Sequence, residues 1–599
     1  MNTNNYSNEQ MGREKKKLSA AVITIIICVV LAVAAVIYAV ISPSGGTPFS
    51  PEQINRGTTH YSDMEYTRPD TDQLIADIND LMEMIQKGKS FTEQGHVFTK
   101  INTELVTFRT MTTLANIRYA SDTTNEDYRT EYTTLEKLSV TISTLTEKLL
   151  DVIEDSNYKI NYERSYFGVG FFSQRKSYDY TDEVKALLDK ETELESRYVD
   201  TLSNASVTWD GKSVRMYSEE FYALRTDVQK LLYQQYCTEY SKTIGEIYVS
   251  LVKTRLEIAQ ALKVNYIEYA YENIAHDYTP EQAQLYMENI KKYVIPLYSD
   301  ISFDTKPFYQ AADTMSSFYA MADSMRTMGG TVAEAFSYMV RYGLYNFSYS
   351  QKKQGISFTT YLDKYASPYI FVSPSGTCAD FRTFTHEFGH FIDYYSNLNT
   401  GITIDNSEIA SQAMAYIAPY YCHSINGLSS EEYSKFNMMQ TLETYISTGF
   451  TNALEAKIYS LSPAEVTLDK LTEILNACAE EYAPTDKIRT ALVTQWFETQ
   501  HIFLYPFYTV SYSISNDVSL QVLQKELDNP SVGGVKAFMK IIKRSDNSTF
   551  EKSITAAGFE SPFSEGRAEK IAALIQSVFA AKVEIEPENT VATEVLKAA

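Results

Sequence analysis

His386-Glu387-Phe388-Gly389-His390 constrains this chain more than any other stretch. Its H-E-x-x-H form sets two imidazoles four residues apart, and at 3.6 residues per turn they lie about 40° apart around a helix axis, on one side. Both rings can share one zinc ion, while the carboxylate between them reaches a water on that ion from the flank. Zinc would lower the pKa of that water towards about 7, and Glu387 could take its proton and later deliver it to a leaving amine. The competing reading of these five residues alone is an ordinary amphipathic helix with two surface histidines. Two histidines also leave such a site short of a ligand. His423 is one candidate; Glu408 is the better one, because Ser407 to Gln412 opens a second helical pattern after a turn over 401–406. A glutamate there gives a two-histidine, one-glutamate set with an open fourth position.

The remaining composition narrows the class. A chain of 599 residues with 44% hydrophobic and 13% aromatic residues folds, as several domains or one large enzyme. Its formal net charge of -23 argues against nucleic acid as a partner, since a phosphate backbone needs a basic surface. Peptides, small molecules or basic partners fit better. The five cysteines, Cys28, Cys237, Cys378, Cys422 and Cys478, form no C-x-x-C pair, which suggests neither a thiolate zinc site nor a disulfide framework.

In chain order, 1–17 is polar and ends in Arg13-Glu14-Lys15-Lys16-Lys17, and 18–41 runs for 24 residues without a charge. That length spans a bilayer, so an uncleaved transmembrane anchor is expected at 18–41, with 1–17 as a cytoplasmic tail and the bulk of the chain outside the cell membrane. A linker is expected over 42–69, a helical domain over 70–300, a catalytic domain over 301–580 and a tail over 581–599. Asp210-Gly211 marks a β-hairpin within 206–216. Tyr369 to Val372 reads as a short exposed strand ahead of the H-E-x-x-H helix, able to hold an extended peptide by main-chain hydrogen bonds. Further on, Trp496 introduces a string with His501, Tyr505, Tyr508 and Tyr512, groups able to donate to a developing oxyanion, although such a string alone also suits an aromatic core.

Taken together, His386-Glu387-Phe388-Gly389-His390, Glu408-Ile409-Ala410-Ser411, and His501 with Pro506-Phe507-Tyr508 and Tyr512 resemble the thimet oligopeptidase and oligoendopeptidase F family of zinc metallopeptidases, closer to the oligoendopeptidase F branch. Ser367-Pro368-Tyr369-Ile370 to Gly376-Thr377 and Ala556-Ala557-Gly558-Phe559 to Pro562 belong to the same likeness, which extends over about residues 70–580. The resemblance implies a mostly α fold, a two-lobed helical ellipsoid with a deep substrate channel and a small β-sheet beside the zinc helix. It implies one Zn2+ per chain on His386, His390 and Glu408, with Glu387 as general base. His501, Tyr505 and Tyr512 fall at or near the family's carbonyl- and oxyanion-stabilising positions, with Tyr508 the alternative for either tyrosine role. Two positions depart from the family: Asp393 stands where many relatives have a third histidine, and Ala415 where they often have a glutamate. Asp393 shares the ligand-bearing face and could orient an imidazole. The expected activity is that of a membrane-anchored zinc endopeptidase cutting short extracellular oligopeptides. The alternatives are a non-catalytic peptide-binding protein on the same scaffold and a zinc exopeptidase.

Overall fold

Apolar residues at three- and four-residue spacing make most of this chain helical. The computed structural model describes residues 56–580, except 176–177, 179–180, 217–218, 223, 351, 399–402 and 545–548. Helix α1 (Thr71–Gln86) is capped by Asp70, whose side chain accepts from the Gln73 N–H, and it buries Leu74, Ile78, Leu81 and Ile85 on one stripe. Ser90 and Glu93 form a capping box at the start of α2 (Phe91–Ser121), and Asn125 caps α3 (Glu126–Glu154). These three pack on one another, and α4 (Asp182–Ser203) packs on the long α5 (Thr226–Leu262). Between them the expected hairpin forms from β1 (Ser206–Trp209) and β2 (Lys212–Arg215). Asp210 and Gly211 both take positive φ, 49° and 75°, as a two-residue primed turn requires.

A three-stranded sheet precedes the H-E-x-x-H helix. Its strands β3 (Tyr345–Asn346), β4 (Phe358–Leu362) and β5 (Ser367–Phe371) lie in the order β3-β5-β4, with β5 parallel to β3 and antiparallel to β4. The strand read from Tyr369 to Val372 is therefore the middle one. Both its edges are paired and its residues are buried, so it has no open main-chain edge for a peptide. Residues 56–66, which lie within the span read as linker, pack against this sheet: the Gly57 N–H donates to the Ala366 carbonyl, and the Tyr61 ring stacks on Tyr369.

The site is built from α6 (Asp380–Asn397), α7 (Ile404–Ile417), α8 (Ser430–Tyr459), α9 (Val510–Asp528) and α10 (Gly533–Ile542). Helix α7 is buried over nearly its whole length, as a helix flanked by α6, α9 and α10 must be. It crosses α6 at Gly389, where a Cβ would lie 2.4 Å from the Ala410 carbonyl oxygen and 2.5 Å from the Ser411 Cα. Only glycine allows that approach.

One part of the expected fold class is overturned. Among the described residues no helix is long and apolar enough to cross a membrane, because the helices carry charged residues along their outer faces and none offers about 20 apolar residues in a row. The transmembrane helix expected at 18–41 lies outside the described residues, as do the tails over 1–17 and 581–599. The single-pass membrane location and the extracellular placement of the catalytic domain fall with it.

Gly389→Ala tests the crossing. An alanine in mid-helix ordinarily stabilises by up to about 1 kcal/mol, but here the added methyl meets backbone, so a net loss of about 1–3 kcal/mol is expected from chemical denaturation.

Candidate metal centre

Four-residue spacing brings His386 and His390 to one face of α6, and the close crossing at Gly389 carries Glu408 of α7 up to them. His386 Nε2 lies 3.8 Å from one Glu408 carboxylate oxygen, and His390 Nε2 lies 3.9 Å from the other. Donor atoms of all three residues fall within 4.8 Å of one another, and among the described residues this is the one such group of histidine, cysteine and carboxylate side chains. The separations exceed hydrogen-bond length and approach the roughly 3.4 Å expected between two donors each about 2.1 Å from one tetrahedral zinc ion. Burial pushes both histidines down, His386 well below its ordinary value and His390 to about 4, so both rings are neutral and keep a bare nitrogen. The donor set thus fits a divalent cation of the zinc type.

Two of the three residues are held by a neighbour, while His386 Nδ1 is buried without a hydrogen-bond partner among the described residues. His390 Nδ1 lies 2.9 Å from the Ser407 hydroxyl, a partner that fixes the ring's tautomer and leaves Nε2 towards Glu408. The Ser411 hydroxyl donates to Glu408 at 3.0 Å. The Thr359 hydroxyl on β4 donates to one oxygen of the Glu387 carboxylate at 2.8 Å. Burial raises Glu387 to about 8 and Glu408 to about 7. A cation among them would favour the ionised carboxylates.

The aromatic string forms a second cluster. Ring centroids of His501 and Tyr508 are 5.0 Å apart, those of His501 and Tyr512 5.9 Å, and those of Tyr508 and Tyr512 5.5 Å, with Tyr505 6.1 Å from Tyr508. Tyr512 belongs to α9, which packs along α7, and the Gln412 side chain of α7 donates to the Tyr512 carbonyl. The turn that carries Tyr505 and Tyr508 is fastened at Phe507, a non-glycine residue with φ of 68°. Its N–H donates to the buried Glu455 carboxylate at 3.0 Å, and its carbonyl faces His276 Nε2 at 3.4 Å. His276 Nδ1 in turn lies 3.1 Å from Asp405 of α7. One residue group upstream, the fully buried Arg255 donates to the carbonyls of Ile502 and Phe503. Burial also lowers His501 to about 4, so it is a neutral ring.

Residues 339–570 match the profile of Peptidase family M3, and residues 61–176 match that of the Peptidase M3 N-terminal domain. The chain belongs to peptidase family M3. It is accordingly a metallopeptidase, and peptides are its substrates. Solved structures share the fold: one described as an oligoendopeptidase F has a TM-score of 0.70 at 20% identity, covering 88% of this chain and 99% of its own. PZ peptidase A with an inhibitor gives 0.70 at 19%, covering 87% and 98%. A protein of Bacillus anthracis assigned as an oligoendopeptidase F gives 0.64 at 20%, covering 88% and 98%. A comparison with curated proteins found no match.

In this M3 peptidase the alternative ligand His423 lies apart from the group. Its ring is exposed and paired with Asp323 at 2.8 Å. Asp393 does not orient an imidazole either. Both its oxygens accept from the Arg544 guanidinium, at 2.6 and 2.8 Å, and one also accepts from Asn397. Sequence reasoning missed Ser407, Thr359, Glu455, His276 and Arg255. Ser407 stood next to Glu408 and could have been found by its helical offset from the ligand; the others come from distant elements and left no local signal.

Ser407→Ala removes the partner of His390. Metal affinity is expected to fall by about 10–100-fold, measured by competition with a chelator of known affinity.

Proposed function

We propose that this M3 peptidase is a zinc endopeptidase acting on short peptides, with His386, His390 and Glu408 as ligands of one zinc ion and Glu387 as general base. The convergence of both Nε2 atoms on the Glu408 carboxylate, with Glu387 buried one residue from His386, carries this reading. When bound, zinc supplies Lewis-acid polarisation and makes water acidic enough to react near neutral pH.

The chain's own groups do the rest. The Thr359 hydroxyl occupies one Glu387 oxygen and leaves the other to accept a proton from the attacking water and return it to the leaving amine. His501, neutral, and the phenols of Tyr505, Tyr508 and Tyr512 are donors for the oxyanion that develops on the scissile carbonyl. Their carrier turn is fixed by Glu455, His276 and Arg255, so donors are set before substrate arrives. A recessed site favours extended peptides over folded proteins: His386 and His390 expose only 22% and 15% of their side chains. The names of the structural neighbours, oligoendopeptidase F and PZ peptidase A, agree with short peptides as substrates.

Glu387→Gln is expected to retain metal and to lose about 10²–10⁴-fold in kcat on an internally quenched peptide, while a chelator abolishes wild-type cleavage and zinc restores it. Unimpaired turnover by Glu387→Gln would sink the mechanism. A peptide blocked at both ends should be cut internally; if only free-ended peptides are cut, the enzyme is an exopeptidase.

A further inference from the structure

Most of α6 is packed away, and among its residues with partial access to solvent Arg382, His386, His390 and Tyr394 recur at every fourth position. They form a single stripe, so Arg382 opens onto the same recess as the two histidines, one turn N-terminal to His386 and about 6 Å along the axis. Its surroundings differ from those of the other sequestered arginines. Arg109 is paired with Asp363, Arg175 with Glu147 and Asp151, Arg255 with Glu191 and Glu195, Arg544 with Asp393, and Arg567 with Asp517. Arg382 has no ion pair or side-chain hydrogen bond among the described residues, and its Nε is buried without a partner.

Two carboxylates come near enough to feel its charge, Glu408 and Glu443, and neither is within ion-pair distance. Glu408 faces the histidines, and Glu443 accepts from the Gln440 side chain at 2.8 Å. A guanidinium in a recess, stripped of part of its water and given no counter-ion, is a costly arrangement unless a ligand supplies the anion. The overall charge of -23 makes the contrast sharper, because the chain as a whole has acidic groups to spare and none is paired with this cation among the described residues.

We propose that Arg382 binds a carboxylate of the peptide substrate and so makes this M3 peptidase selective for peptides that carry one close to the scissile bond. The inference rests on His386, His390 and Glu408 being the place of cleavage. One helical turn from His386 corresponds to about two residues of extended peptide, which sets where the carboxylate lies. Two sources meet that description, an aspartate or glutamate side chain and the peptide's own C-terminal carboxylate.

The test uses zinc-loaded protein and matched internally quenched peptides. One pair differs only as C-terminal acid against amide, and the others only as Asp against Asn at each position within three residues of the cut. Wild type is expected to favour the carboxylate member of one pair by about tenfold or more in kcat/KM, the size of a charge-assisted contact. The pair that responds identifies the source. Arg382→Gln should collapse the ratio to near one, Arg382→Lys should regain part of it, and Arg382→Glu should invert it. The same pairs are titrated onto Glu387→Gln by fluorescence anisotropy, where the Kd ratio should follow the same order. Equal treatment of every pair by wild type, or an unchanged ratio in Arg382→Gln, overturns the proposal. If wild type cuts none of the peptides, the endopeptidase reading fails instead, and the Kd ratios decide whether Arg382 holds a carboxylate.

Discussion

The close crossing of α6 and α7 is the constraint on which the site depends. Gly389 lets the two backbones meet at a distance no side chain would permit, and that meeting is what places Glu408 between His386 and His390. Helix α7 is buried over nearly its whole length, with Ala410 and Ser411 at the close approach and α9 and α10 packed on its other sides. The glycine inside the H-E-x-x-H stretch is therefore a packing residue whose effect is chemical.

Dryness at that crossing sets the charge states. It strips water from two imidazoles and two carboxylates together, holding the rings neutral and the acids ready to be ionised by a cation. Hydrogen bonds and an ion pair then fix orientation: Ser407 of α7 on one ring, Thr359 of β4 on Glu387, and the Asp393–Arg544 pair tying α6 to the segment after α10. The tyrosine-bearing turn is anchored separately, through Phe507, to Glu455 and to the His276–Asp405 pair. Since Asp405 lies on α7, three residues before Glu408, the His386, His390 and Glu408 group and the histidine-tyrosine cluster are referred to one helix.

Much of this was legible in the sequence where a rule of spacing applied. The ligand-bearing helix, the second helix with Glu408, the hairpin at Asp210-Gly211 and the family itself follow from residues a few positions apart. What escaped depends on pairings across the chain. That β5 is the central strand is decided by the two residues of β3, too short a strand to announce itself. Asp393 shares the ligand face by helical offset, yet its partner is a guanidinium 151 residues away, which no local pattern reveals. The uncharged run at 18–41 shows the opposite limit: length and hydropathy suggested a span, and no helix among the described residues has that character.

The reach of the Asp393–Arg544 pair also orders events during synthesis. At about 5–20 residues per second, the interval between the two residues is roughly 8–30 s. For most of it His386, His390 and Glu408 are all present, while Asp393 lacks its counter-ion and Tyr505, Tyr508 and Tyr512 are made only towards the end. A nascent chain therefore carries the His386, His390 and Glu408 group without the ion pair that ties α6 down until the segment after α10 has been made.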